Sequence, residues 1–109
     1  MMRKAILDYV RAHPGTTFAE LEQVLGESMR GPRALFAGPR EHDIVLWDGV
    51  SQEFIDTIVA LRDGGALVAR PTHYLTYLFD GNGLQLPLAK RAKYKTPHWL
   101  PVIFVQGNA

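Results

Sequence analysis

The 109-residue chain contains no cysteine, which removes disulfides, thiolate metal sites and cysteine nucleophiles from consideration. It also lacks an apolar run of membrane-spanning length, and in "MMRKAILDYVRAHPG" Asp8 and Arg11 interrupt the apolar residues too early for a signal-peptide core. The expectation is a cytoplasmic protein with no membrane partner. A strong net charge is missing as well: twelve Lys and Arg stand against eleven Asp and Glu, for a formal +1. Any attraction to a polyanion must therefore be local. Fixed-period repeats and low-complexity tracts are absent, which argues against a solenoid or a long disordered tail. Only the closing "QGNA" reads as frayed.

Catalytic and metal-binding patterns are equally sparse. The histidines His13, His42, His73 and His98 show no helical pair four apart, so no metal is expected. Glu41, His42 and Asp43 are adjacent in "REHD" and do not point into one site. Ser51 stands where a helix cap is needed, which explains it better than nucleophilic catalysis. "DGNG" at 80–83 lacks the Lys-Ser/Thr of a phosphate loop. The chain is expected to be neither an enzyme nor the holder of a cofactor.

With 47% of its residues apolar, a chain of this length can bury one core, and a single domain over 1–109 is expected. Ile6, Leu7, Tyr9 and Val10 repeat at helical spacing over 3–12, and "HPG" ends that helix. Thr17 and Glu20 have capping-box spacing before a second helix whose inward residues are Phe18, Leu21, Val24 and Leu25. Gly-Pro steps at 31–32 and 38–39 break the stretch from about 27 to 42, which is expected to be a Gly/Pro-rich loop insertion with at most one helical turn. "DIVLW" at 43–47 reads as a buried strand. Ser51 caps a third helix with Phe54, Ile55, Ile58, Val59 and Leu61 on one face and Glu53, Asp56, Thr57, Ala60 and Asp63 on the other. "ALVAR" and "YLTYLF" read as strands, "DGNG" as a tight reversal into "LQLPL", and "PVIFV" at 101–105 as a last strand.

This order, and in particular "VSQEFIDTIVALRDGGALVARPTHYLTYLFDG" with its "ALRDGGALVAR" core, resembles a winged helix-turn-helix domain, the segment being similar to the third helix and wing of that class. The resemblance covers roughly the first eighty residues. It implies an α+β, winged-helix-like fold of three helices with a small antiparallel sheet. By the docking habit of the class, Gln52, Glu53, Asp56, Thr57 and Ala60 would face the bases, with Arg70, Thr72 and His73 near the wing. Glu53, Asp56 and Asp63 on such a face oppose phosphates.

The basic segment at 90–99 within "KRAKYKTPHWLP" is the stronger candidate. Lys90, Arg91, Lys93 and Lys95 cluster where nothing from Gly81 onward is acidic, and Tyr94, His98 or Trp99 are aromatic groups on which unpaired bases stack. Trp99 reads more readily as a core or sheet-edge anchor than as a stacking platform. Arg30, Arg33 and Arg40 form a second cationic set, which makes one patch with the first only if the fold brings them together. The expected function is nucleic-acid binding, to DNA or RNA, as a small regulator or accessory factor acting mainly through phosphate contacts. The alternative is a protein-interaction module on the same scaffold, an adaptor, inhibitor or homodimer docking through edge strands, Trp47 or Trp99 and the acidic face of the third helix.

Overall fold

Helix α1 (Met2–Ala12) buries Ile6 and Val10, the inner stripe of its apolar repeat. The computed structural model describes residues 1–108; Ala109, the last residue of the expected domain and of "QGNA", lies outside the described residues. The chain turns at Gly15, with φ +87°, a conformation that costs glycine little. Helix α2 (Phe18–Leu25) starts with the expected capping box: Thr17 accepts from the Glu20 amide, and Glu20 accepts from the Thr17 amide. Phe18 and Leu21 are buried, whereas Val24 is 44% exposed and is corrected from an inward to an outward position.

The expected loop insertion at about 27–42 is instead an arm of secondary structure. A 3₁₀ turn at Gly26–Ser28 leads into strand β1 (Arg30–Phe36), which pairs antiparallel with β2 (Ile44–Val50). Both Arg30 and Arg33 register with Val50, so Gly31 and Pro32 form a bulge, where a residue without an amide hydrogen is tolerated. A Cβ on Gly31 would stand 2.6 Å from Ser51 Cα and 2.8 Å from the Val50 oxygen. The second Gly-Pro step opens the turn between the strands, a 3₁₀ turn at Arg40–His42 that closes on Asp43 in the left-handed conformation. Prolines at bulge and turn, not within the ladder, are why the breakers did not abolish the strand.

Helix α3 (Gln52–Asp63) is capped by Ser51 and buries Phe54, Ile58 and Leu61; Val59 is 40% exposed and leaves the expected inner face. Strand β3 (Leu67–Pro71) follows. The expected strand "YLTYLF" is a helix, α4 (Leu75–Phe79). Tyr77 explains the change: its buried hydroxyl donates to the Val102 carbonyl at 2.6 Å and accepts from the Phe18 amide at 3.2 Å. That anchoring overrides the β preference of a short aromatic and β-branched run. "DGNG" turns the chain, with Gly81 at φ +78°, but "LQLPL" is not a hairpin partner; it runs as an extended strap that touches the sheet through the Leu88–Trp99 bridge.

The last strands are β4 (His98–Trp99) and β5 (Val102–Gln106). β4 runs parallel to β2, so the sheet β1-β2-β4 is mixed and not antiparallel as expected. β5 pairs antiparallel with β3 along its whole length, and its other side bridges Thr16 through Phe104. β3 therefore has no hairpin partner next in sequence. The described residues form an α+β domain of four helices and a small mixed sheet. Its core joins Phe18, Trp47, Phe54, Tyr77, Trp99 and Phe104 through stacked and edge-on aromatic contacts.

Candidate nucleic-acid interface

Between the strap and β4 the chain makes a tight cationic loop, and tyrosine holds it closed. The Tyr94 hydroxyl accepts hydrogen bonds from the Lys90 and Arg91 amides, the latter at 2.8 Å. Its ring stacks on His98, centroids 3.6 Å apart and planes within 13°, and the Arg91 guanidinium carbon lies 4.8 Å from the Tyr94 centroid. His98 Nδ1 stands 2.8 Å from the Thr96 carbonyl. The Lys90 amide, followed by the Arg91 guanidinium and amide, holds the Tyr94 phenol below its ordinary value against the opposing effect of desolvation. Arg91, Lys93, Tyr94, Lys95, Thr96 and His98 line an open cleft of about 560 Å³.

The loop is fastened to the β1–β2 arm. The Tyr94 amide donates to the His42 carbonyl and the His98 amide to the Asp43 carbonyl, both at 2.9 Å. The 3₁₀ turn that receives them carries Arg40, whose guanidinium lies over Phe36 at 5.6 Å. Arg40 and Arg33 line a second groove with Pro32, Asp48, Gln52 and Ile55, where β1 faces α3. The backbone bonds thus set the turn that bears Arg40 beside the loop, while Arg33 lines a separate groove. Among the described residues, Arg33, Arg40, Lys90, Arg91, Lys93 and Lys95 form no ion pair. Glu41 and Asp43 share the turn with Arg40, so the same backbone bonds bring two acidic residues beside the loop as well.

Arg30 is separated from this face. It sits at the far end of β1, paired with Glu27 at 2.6 Å and Glu22 at 3.5 Å, and those carboxylates raise its already high pKa. A charge so compensated has little left for phosphate. Trp99 and Trp47 are 4% and 2% exposed, so neither stacks on a base or docks on a partner; both belong to the core. The indole Nε1 of Trp99 is buried without a hydrogen-bond partner among the described residues.

The expected third-helix and wing residues divide. Gln52 bonds Asp56 at 2.8 Å, and Thr57 returns its hydroxyl to the Glu53 carbonyl at 2.7 Å, both within α3. Arg70 is exposed on β3, opposite Ile103 of β5. Thr72 and His73 organise the entry to α4: Thr72 bonds Thr76 at 3.1 Å, and His73 Nδ1 accepts from the Leu75 amide at 3.2 Å while its ring stacks on Tyr74. β3 pairs with β5 and not with the 74–79 run, so "PTH" leads into α4 and does not separate two paired strands. Reasoning from sequence missed an apolar surface on α4, where Leu75, Leu78 and Phe79 are 46%, 58% and 91% exposed. The signal for it in the sequence is their helical spacing, which the strand-like composition of the run conceals.

Among the described residues, no three His, Asp or Glu could hold a metal, and no helix is long and apolar enough to cross a membrane. No protein-family model, curated protein or solved structure matches the chain.

Proposed function

We propose that this chain is a winged-helix-like, nucleic-acid-binding domain, non-enzymatic and cytoplasmic, which grips phosphates on a composite cationic face and serves as a small regulator or accessory factor. The fold half of this reading is supported by strand order: β5 lies between Thr16, which follows α1, and β3, which follows α3. A winged helix arranges its three short strands in the same way. The β1–β2 arm is then an insertion between the second and third helices, and residues 72–101 stand where the wing would be.

The observation that carries the functional half is the pair of backbone hydrogen bonds from Tyr94 and His98 to the His42 and Asp43 carbonyls. They fasten a cationic loop late in the chain to the turn bearing Arg40, which supports a composite cationic face built from charges far apart in sequence. Binding by cations that neutralise phosphates releases counterions, and affinity then falls steeply with salt. Equilibrium binding of labelled DNA and RNA over roughly 50 to 200 mM salt tests this. The expected result is a steep slope, reduced by about one for each of Lys93→Ala and Lys95→Ala and unchanged by Arg30→Ala, whose guanidinium is already paired. No binding at low salt sinks the reading.

The exposed α4 residues favour one second reading, a protein-interaction module. It predicts a dimer or complex insensitive to moderate salt and lost on Leu78→Asp, which sedimentation of the purified chain would detect.

A further inference from the structure

We infer that the Arg91–Tyr94–His98 cleft is a subsite for an unpaired nucleotide, so that the face described above takes single strands in preference to duplex. The inference rests on the nucleic-acid reading and names its ligand class. Its basis is the coexistence, in one cleft of about 560 Å³, of planar π groups and cations that form no ion pair among the described residues. That volume lies inside the roughly 300–1,000 Å³ typical of small-ligand sites.

Three planar groups are gathered there: the Tyr94 ring has the Arg91 guanidinium carbon 4.8 Å from its centroid and the His98 imidazole stacked on it at 3.6 Å, so the planes left for a base are the outer ones of Arg91 and His98. Guanidinium and aromatic planes are the surfaces on which splayed-out bases stack, and stacking tolerates any base because each has a π-face. Lys93 and Lys95 line the same cleft and supply the charge that a flanking phosphate requires.

The cleft is also preorganised. Tyr94 is fixed at its hydroxyl by two amides and at its own amide by His42, and His98 is fixed at its amide by Asp43. Groups already held in place lose little freedom when a ligand arrives, which favours affinity. A duplex cannot use this arrangement, because its bases present only their edges in the grooves. Nor does α3 offer duplex a substitute, since Glu53 and Asp56 on its exposed face would repel phosphates.

The test separates base from phosphate. Fluorescence anisotropy would compare the wild-type 109-residue chain binding a short labelled oligothymidylate, an abasic strand of equal length and a duplex of equal length, each across the same salt series. The wild type is expected to bind oligothymidylate roughly tenfold or more tightly than the abasic strand, and more tightly than the duplex. Arg91→Lys keeps the charge but removes the planar group; it and His98→Ala should collapse the thymidylate-to-abasic ratio toward one with the salt slope nearly intact. Arg91 is exposed, so its replacement leaves the core untouched, and unfolding of His98→Ala would not prevent a decision. Equal wild-type affinity for the thymidylate and abasic strands, or a ratio unchanged in Arg91→Lys, overturns the subsite. Tighter binding of duplex with a steep salt slope overturns the subsite while leaving the phosphate grip standing. Failure of all three ligands to bind at low salt overturns both.

Discussion

Tyr77 does three jobs with one side chain: it fills the core against Trp47 and Trp99, satisfies the first amide of α2 and ties α4 to β5. Replacing it by phenylalanine keeps the packing but leaves the Phe18 amide and Val102 carbonyl unpaired in the interior. The expected loss is about 1–3 kcal/mol, read from urea unfolding at neutral pH. Burial also pushes the Tyr77 phenol far above its usual range, and the bond to the Glu20 carboxylate, 2.7 Å away, pushes Tyr9 up to about 12. Both phenols hold their protons more firmly folded than unfolded. Their stabilisation is therefore complete below about pH 10, where an unfolded phenol begins to ionise, and declines as pH rises toward the folded values. Thermal melts should show a midpoint falling between pH 10 and about 12, with a shallower fall in Tyr9→Phe and Tyr77→Phe; a midpoint flat over that window contradicts the assignment. Gly31 makes a steric prediction. Because a Cβ there would meet the backbone of Val50 and Ser51, Gly31→Ala should destabilise by about 1–3 kcal/mol, the usual cost of overpacking.

Elements were legible where local chemistry and tertiary packing agree. Helices α1, α2 and α3 carry their own caps and apolar stripes, and Thr17, Glu20 and Ser51 make the hydrogen bonds that their spacing implied. Strands β2, β3 and β5 were visible as apolar runs. Legibility failed where a partner far along the chain decides the conformation. Strand β1 exists because β2 lies beside it, with its prolines confined to a bulge and a turn. Helix α4 exists because Tyr77 reaches residues on α2 and β5. The cationic loop was visible as composition, but its junction with Arg40 runs through backbone atoms, which leave no mark in side-chain identity. Thr17 also links elements: besides capping α2, it donates to Asp80 beyond α4 at 2.5 Å, in a buried position. Thr17→Ala should cost at least a normal cap, about 1–2 kcal/mol, and Thr17→Ser should recover most of it. Denaturant midpoints of the two variants that coincide would show that the hydroxyl contributes nothing.

At the scale of the whole molecule, the 90–95 loop carries cations that form no ion pair among the described residues, and α4 carries exposed leucine and phenylalanine. Salt distinguishes them: a function on the first weakens as salt rises, whereas one on the second does not. The molecule is held together by β5, which gives Val102 and Phe104 to the core and pairs with both β3 and Thr16. A chain stopped after Leu100 should lack a cooperative thermal transition by circular dichroism, since no other described strand pairs with β3. The same strand imposes an order in time. A ribosome delivers residues 102–106 after all the helices, so while the chain is being made Thr16 and β3 have no strand between them, and Tyr77 has no carbonyl to bond. The nascent domain must wait with its apolar interior open, and it can close only when the strand that joins Thr16 to β3 has emerged.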